Sequence, residues 1–247
     1  MIPLLSRQTT DPLTWQASLA ESGGAILVDK ATGCTSFDVV AKLRRMLSIK
    51  KIGHAGTLDP MATGLLIVCV GKATKRVADF QELDKEYFVE IKLGARTASD
   101  DAETPEQDHR PIEHLSDDEI IRVVESFVGT IEQYPPAYSA VHVGGKRLYS
   151  MARRGEELPP LPARTVTVFA ITNIELARPL VRFQVRCSKG TYIRSLARDI
   201  GVALGVGAYA TALRRTSIGP YHVDDALTIS ELNSYFQASH ADLSLNR

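Results

Sequence analysis

Cysteine is scarce in this chain, and what there is lacks pattern. Cys34, Cys69 and Cys187 are the three cysteines of 247 residues, an odd number without the short spacings of a zinc site. They suit a reducing compartment and ordinary packing better than a disulfide framework. Long apolar runs are also missing. No stretch reaches the roughly 18 residues that a membrane-spanning helix needs. The start, "MIPLLSRQTTDPLTWQ", has neither the basic opening nor the continuous apolar core of a secretion signal. No phosphate-cradling P-loop occurs. Excess charge of one sign is absent as well, with 29 basic residues against 29 acidic ones, which argues against nucleic-acid binding by bulk charge. The expectation is a cytoplasmic protein that neither crosses a membrane nor carries a metal cluster.

The composition that remains, 44% hydrophobic and 23% charged, is that of a globular protein. Its length allows one large domain or two small ones. The distribution of charge says more than its total. Lys42, Arg44, Arg45, Lys50 and Lys51 form one basic stretch, followed by Lys72, Lys75 and Arg76. Lys146, Arg147, Arg153 and Arg154 form a second, and Arg182, Arg186, Lys189, Arg194, Arg198, Arg214 and Arg215 a third. Acids gather in "SDDAETPEQD" and "SDDEIIRVVE". A fold that brings the basic stretches to one face would attract phosphates there and leave the back acidic. The competing reading is a mixed, solvated surface.

Periodicity orders the chain. Residues 1–22 read as a loosely structured lead-in. "GAILVDK" (24–30) reads as a strand. "TSFDVVAKLRRMLS" (35–48) has helical spacing with Thr35 or Ser36 as cap. "GLLIVCVG" (64–71) reads as a buried strand, "ATKRVADFQEL" as a helix, and "EYFVEIKLG" (86–94) as an alternating strand. Residues 96–115 form an acidic loop. Ser116 and Glu119 mark a capping box for the helix that follows. A short basic helix is expected near 147–154. "ARTVTVFAITNIEL" and "LVRFQVRCS" read as paired strands, "GTYIRSLARDIGVAL" as an amphipathic helix, "TALRRTSIGPYHV" as a strand region and "TISELNSYFQAS" as a closing helix. The irregular mixing, without a repeating βαβ rhythm, predicts an α+β fold with a mixed, mostly antiparallel sheet flanked by helices.

Three stretches carry chemistry. In "KIGHAGTLDPMATGLLIVCV" (51–70), Asp59 stands alone between glycine turns and an apolar run. Pro60 stiffens it toward extended geometry, and Gly53 and Gly56 permit turns that other residues resist. A carboxylate at a core edge must be solvated, paired or protonated. It is either a turn residue or a reactive group. In "CSKGTYIRSLARDIG" (187–201), Gly190 opens a helix. Tyr192 is able to stack on a base or to pack in the core. Arg194 is able to hold a phosphate or a carboxylate, or to be a surface charge. "PPAYSAVHVGGKRLYSMARRG" (135–155) interleaves aromatics with Lys and Arg around a Gly-Gly turn, a mixture that suits RNA with unstacked bases and also suits an ordinary hairpin.

The ordered segments "GHAGTLDPMATGLL", "YSAVHVGGKRLYSMARRG" and "CSKGTYIRSLARDIG", with "GAILVDK", "KEY" and "LRRTSIGPY", resemble the TruB family of tRNA pseudouridine synthases from about Gly24 to Tyr221. The resemblance implies a pseudouridine-synthase-like fold and isomerisation of uridine 55 in the T loop of tRNA. It makes Asp59 the catalytic aspartate, lines the uridine pocket with Tyr87, Tyr192 and Leu213, and pairs Arg194 with Asp59. It gives His54 a place beside the extruded nucleotide and Lys30 support of the loop. Asp59 would either attack the sugar or remove its C2′ proton. Isomerisation needs no cofactor and no metal. The implied partner is the T-arm stem-loop of tRNA, met by a monomer without an obligate protein partner. Two departures stand out: Ala31 follows Lys30 where the family often has proline, and roughly 26 residues follow Tyr221, too few for the PUA domain that many members carry. The expected organisation is an N-terminal extension over 1–22 and a catalytic domain over 23–247, with an RNA-gripping insertion about 129–164 and no C-terminal PUA domain. A guide-RNA-dependent synthase of the dyskerin type and an RNA-folding module for the tRNA elbow are the alternatives.

Overall fold

The computed structural model describes the chain except residues 1, 140–141, 144–145, 149–150, 152–153, 155, 157–160 and 246–247. It divides into two compact units: residues through Glu86 together with Arg214 onward, and Tyr87–Leu213.

The first leg of the first unit holds β1 (Leu4–Leu5), α1 (Pro12–Ser18), β2 (Gly24–Lys30), α2 (Ser36–Leu47), β3 (Ile52–His54), β4 (Thr63–Val70) and, after a 3₁₀ turn over Gly71–Arg76, α3 (Val77–Gln81). Residues 1–22 are not loosely structured as expected. β1 runs parallel to β2, with Leu4 opposite Ala25 and Leu5 opposite Ile26. Asp11 caps α1 by accepting from the Thr14 backbone. Leu5, Trp15 and Leu19 are all buried in the core cluster of Ile26, Val28, Val39 and Leu43. A lone tryptophan placed against a strand face gains more from burial than its irregular flanks suggest.

β2 and β4 pair antiparallel from Gly24↔Val70 to Lys30↔Gly64. Their alternate residues face two different clusters: Ile26, Val28, Leu66, Val68 and Val70 on one side, Ala25, Leu27, Leu65, Ile67 and Cys69 on the other. Burial on both faces explains why "LLIVCV" reads as a continuous apolar run rather than an alternating one. α2 opens with the capping box of Thr35 and Asp38 and buries Ser36, Val39, Val40 and Leu43.

The second unit continues with β5 (Lys85–Leu93), β6 (Arg96–Thr97), β7 (Glu106–Gln107), α4 (Asp117–Glu125), β8 (Gly129–Gln133), β9 (His142–Val143), β10 (Lys146–Arg147), β11 (Arg164–Ala177), β12 (Leu180–Cys187) and α5 (Ile193–Ala203). The acidic loop read over 96–115 thus contains the two short paired strands β6 and β7. Of the expected insertion about 129–164, the described residues show β8 and the β9–β10 pair. The short basic helix near 147–154, with Arg153, falls largely outside the described residues. β12 pairs antiparallel with β11, and β11 with β8. β5 lies between β13 (Ala208–Ile218) and β12. β5 alternates cleanly: Tyr87, Val89, Ile91 and Leu93 are buried between half-buried neighbours, the pattern of a strand with one face in the core. α4, capped by Ser116, packs on β11 and α5.

β13 returns the chain to the first unit, where β14 (Tyr221–His222) and α6 (Ile229–Leu245) complete it. There Arg214 and Arg215 pair in parallel with Thr63 and Gly64 of β4. The α+β class and the mostly antiparallel pairing are as the sequence predicts.

Candidate active site

Lys30, His54 and Asp59 belong to the first unit; Tyr87, Tyr192, Arg194 and Leu213 belong to the second.

The half-buried Asp59 sits on the loop between β3 and β4. This loop is held by its backbone at successive residues. Ala55 donates to the Ile67 carbonyl (2.8 Å) and Ala62 to that of Asp59 (3.1 Å). The buried Ser36 hydroxyl, at the start of α2, donates to the Leu58 carbonyl (3.1 Å) and accepts from the Leu58 N–H (2.8 Å). The Gly33 N–H donates to the Pro60 carbonyl (2.8 Å), and Thr32 Oγ1 to that of Met61 (3.2 Å). Two fully buried cations complete the arrangement. Lys30 Nζ donates to Ala31 (3.0 Å), Cys34 (2.8 Å) and Pro60 (3.5 Å) carbonyls. Arg215 Nε donates to Leu65 O (2.7 Å) and its NH2 to Gly56 O (3.2 Å). Gly56 turns with φ +103°, which L side chains rarely adopt. Gly64 is required for a different reason: a Cβ there would stand 2.3 Å from the Arg215 carbonyl oxygen.

Burial lowers the Lys30 pKa below the ordinary lysine range, with Arg215 adding to the effect while Cys34, Asp59 and Asp38 oppose it. Burial, then the Arg215 charge, lowers the His54 pKa, with a backbone hydrogen bond at Gly56 opposing. His54 is thereby kept as the neutral imidazole near pH 7. The loop therefore presents a carboxylate, a neutral imidazole and two buried cations in one small region. Through these bonds Lys30 grasps carbonyls on both sides of the loop, those of Ala31 and Cys34 and that of Pro60.

In the second unit, Tyr192 is the N-cap residue of α5. Its N–H donates to Gln133 Oε1 (3.0 Å), and Gln133 Nε2 donates back to its carbonyl (3.2 Å). The Gln133 amide, buried at the end of β8, thus fixes the start of the helix. Arg194 is neither solvated nor exposed. It is 3% exposed beside an Asp101 that is 1% exposed. Its NH1 donates to Asp101 Oδ2 (3.1 Å) and Ser99 O (2.9 Å), and its NH2 to Tyr138 O (2.8 Å). Asp101 Oδ1 accepts from Ser99 Oγ (2.6 Å) and Glu103 N (2.9 Å). One turn on, Arg198 NH1 pairs with Asp100 Oδ2 (2.9 Å) and its NH2 reaches Tyr134 O (3.1 Å). Asp100 takes φ +59°, and burial raises its pKa despite the two arginines. Tyr87 and Leu213 are buried on β5 and β13.

Sequence reasoning missed Ser36, Gln133, Arg215, Asp100 and Asp101. The two acids were read as an acidic back surface; both turn inward. Their signal was a pair of arginines spaced i,i+4 on one helix against two consecutive acids on a loop.

Comparison with known proteins adds to this geometry. Residues 44–193 match the N-terminal domain of the TruB family of pseudouridylate synthases, and residues 194–247 match the C-terminal domain of tRNA pseudouridylate synthase B. Proteins named tRNA pseudouridine synthase B are similar over most of the chain. The one from Chlorobium luteolum is 47% identical over 85% of this chain and 74% of its own length. The one from Chloroherpeton thalassium is 48% identical over 85% and 89%, and that from Phocaeicola vulgatus is 43% identical over 92% and 98%. Among solved structures, an H/ACA RNP bound to a substrate RNA containing 2′-deoxyuridine matches with TM-score 0.69 and 31% identity. A Cbf5-Nop10-Gar1 complex matches with TM-score 0.69 and 33% identity. In both, the match covers 94% of this chain and 58% of the solved chain, so this chain spans under two thirds of those proteins.

Proposed function

This chain belongs to the TruB family of pseudouridylate synthases, and from that premise we propose that it isomerises uridine to pseudouridine in the T loop of tRNA, at position 55. The observation that carries the reading is the Asp59 loop, a carboxylate on a turn whose backbone is held by Ser36, Lys30 and Arg215. Such restraint serves a group that must meet its substrate in one geometry. In the proposed reaction the C1′–N1 bond breaks, uracil turns, and C1′ bonds to C5. Nothing is oxidised or hydrolysed in sum. Asp59 acts on the ribose, either by adding to it or by removing the C2′ proton. The target uridine leaves its stack before reacting, which costs a few kcal/mol that stacking on aromatics offsets.

The roles of the remaining residues follow the family resemblance. Tyr87, Tyr192 and Leu213 receive the flipped base, Tyr87 also serves C5 deprotonation, and Arg194 pairs with Asp59 and fixes its orientation. His54, held neutral by burial and by Arg215, accommodates the extruded nucleotide without adding charge. We further propose that the protein acts in the cytoplasm as a monomer, without guide RNA or obligate protein partner. Among the described residues no helix is long and apolar enough to cross a membrane.

A second reading has its own observation: the solved structures that match include an H/ACA RNP and a Cbf5-Nop10-Gar1 complex. One experiment separates the two. Purified protein is incubated with unmodified tRNA and with an isolated T-arm hairpin, and pseudouridine is mapped by carbodiimide modification and primer extension. A single new stop at the T-loop uridine, with protein alone, is the expected result. No product until a guide RNA is added favours the guided reading and overturns the first.

A further inference from the structure

The outward face of α2 carries an aromatic that the core does not use. Phe37 is 61% exposed, far more than a phenylalanine held for packing. It is not idle in the fold's electrostatics: the Arg44 guanidinium lies over its ring at 5.5 Å from the centroid. The two residues are seven apart, two helical turns along one side of the helix. Arg44 is itself fixed, with its NH2 donating to the Ile52 carbonyl at 2.9 Å, so the cation that covers the ring is anchored to the strand beneath.

The helix and the segment after it are also rich in exposed basic residues. Lys42, Arg45, Lys50 and Lys51 are exposed. The acid next to Phe37, Asp38, is engaged in the helix cap, accepting from the Thr35 N–H (2.8 Å) and hydroxyl (2.7 Å). The position matters as much as the charge. Ser36, which precedes Phe37, grips both the N–H and the carbonyl of Leu58, and Leu58 precedes Asp59. Phe37 therefore stands one residue from the group that fixes the reactive loop, on the outer side of the same helix end.

We propose that Phe37 and Arg44 form a stacking platform for an unpaired nucleobase of the substrate RNA, adjacent to the nucleotide that enters at Asp59, with Lys42, Arg45, Lys50 and Lys51 facing its phosphates. This rests on the pseudouridine synthase reading. The chemistry fits a base better than a protein side chain. An exposed ring pre-positioned by a guanidinium offers a π-face and a cation together, which bases of any identity accept. The surrounding lysines and arginines complement an anionic backbone.

The test uses a T-arm hairpin and single-turnover kinetics at several enzyme concentrations. Phe37→Ala is expected to raise the half-saturating concentration about tenfold, the scale of one lost base–aromatic stack, while the saturated rate stays within twofold. Phe37→Leu keeps apolar bulk without a ring and is expected to behave like Phe37→Ala. Hairpins with one abasic position each then locate the partner. At one loop position the abasic substrate is expected to weaken the wild type about tenfold and Phe37→Ala no further. Unchanged saturation for Phe37→Ala, a wild-type-like Phe37→Leu, or abasic losses equal for both proteins at every position would overturn the proposal. So would unchanged RNA saturation with an altered oligomeric state, which would make this face a protein contact. A wild type that forms no pseudouridine on any RNA is a different failure, that of the functional reading itself.

Discussion

Asp101→Asn is the sharpest perturbation of the second unit's charge arrangement. Asp101 is 1% exposed and its Oδ2 lies 3.1 Å from the NH1 of an Arg194 that is 3% exposed. The amide keeps the shape, and its oxygen is able to keep the bonds from Ser99 Oγ and Glu103 N. The NH2 group then points donors at a guanidinium that has only donors. Flipping the amide sets the same donors against the Glu103 N–H. Either orientation removes a negative charge from beside a buried positive one. Breaking one side of such a pair costs about 3–5 kcal/mol, and the carbonyls of Ser99 and Tyr138 still accept from Arg194, which places the loss near the lower end. For a chain of this size, about 3 kcal/mol corresponds to a fall in Tm of roughly 6–12 °C. Thermal and urea unfolding measure it. Arg194→Met, alone and in the Asp101→Asn background, completes a cycle, with an expected coupling of about 2 kcal/mol. A melting point within about 2 °C of wild type, or a coupling under about 0.5 kcal/mol, would refute the reasoning and make the pair energetically incidental.

Asp59→Asn is expected to abolish pseudouridine formation with little change in RNA affinity, since the amide keeps shape and loses charge and basicity; retention of a tenth of wild-type turnover would show another group to be essential. Ser36→Ala removes both hydrogen bonds to Leu58 and leaves two buried backbone groups without them, a loss of about 1–3 kcal/mol; urea unfolding should show it, alongside a slower saturated rate from a looser Asp59 loop. His54 titrates below its ordinary value of 6.5 because burial and Arg215 oppose its charge. The unfolded chain therefore binds more protons than the folded one just below pH 6.5, and stability rises with pH through that window. His54→Gln should flatten that part of the stability profile, and an unchanged slope would show that the imidazole is not held neutral by the fold.

What the sequence made legible divides along physical lines. β4 was readable because both of its faces are buried, so its apolar run is continuous. α2 was readable because its start is local: Thr35 and Asp38 cap each other within one turn. β5 and the β11–β12 pair declared themselves by alternation and by a short connection. The misread parts depend on partners far away in the chain. Asp101 and Arg194 are separated by 93 positions and Asp100 and Arg198 by 98, so the acids looked like surface until folding brought the arginines to them. Residues 1–22 have no sustained period, since β1 has two residues and α1 seven. They are anchored by Leu5, Trp15 and Leu19 in the core and by contacts with distant residues, such as Arg7 with Glu231 and Gln8 with Asp225.

The candidate site shows the same division with a chemical consequence. Asp59 could be singled out because an Asp-Pro beside an apolar strand raises the question of what such a carboxylate is for. Of what holds it, only Lys30 was named, and that by the family resemblance; Ser36 and Arg215 act through backbone groups, which any sequence supplies. A cation that grips a carbonyl leaves no complementary acid for pattern reading to find. It also does something an ion pair would not. An acid partner would neutralise Arg215 locally, whereas a carbonyl accepts its hydrogen bonds without bringing a negative charge into the buried base of the loop. Lys30 and Asp59 are close enough for their charges to act on one another. The loop is thus positioned by hydrogen bonds that are already made, and a preformed arrangement of this kind requires no rearrangement when the substrate arrives. The two glycines that let Arg215 in, Gly56 by its turn and Gly64 by its missing Cβ, belong to this electrostatic arrangement as much as to the chain's path.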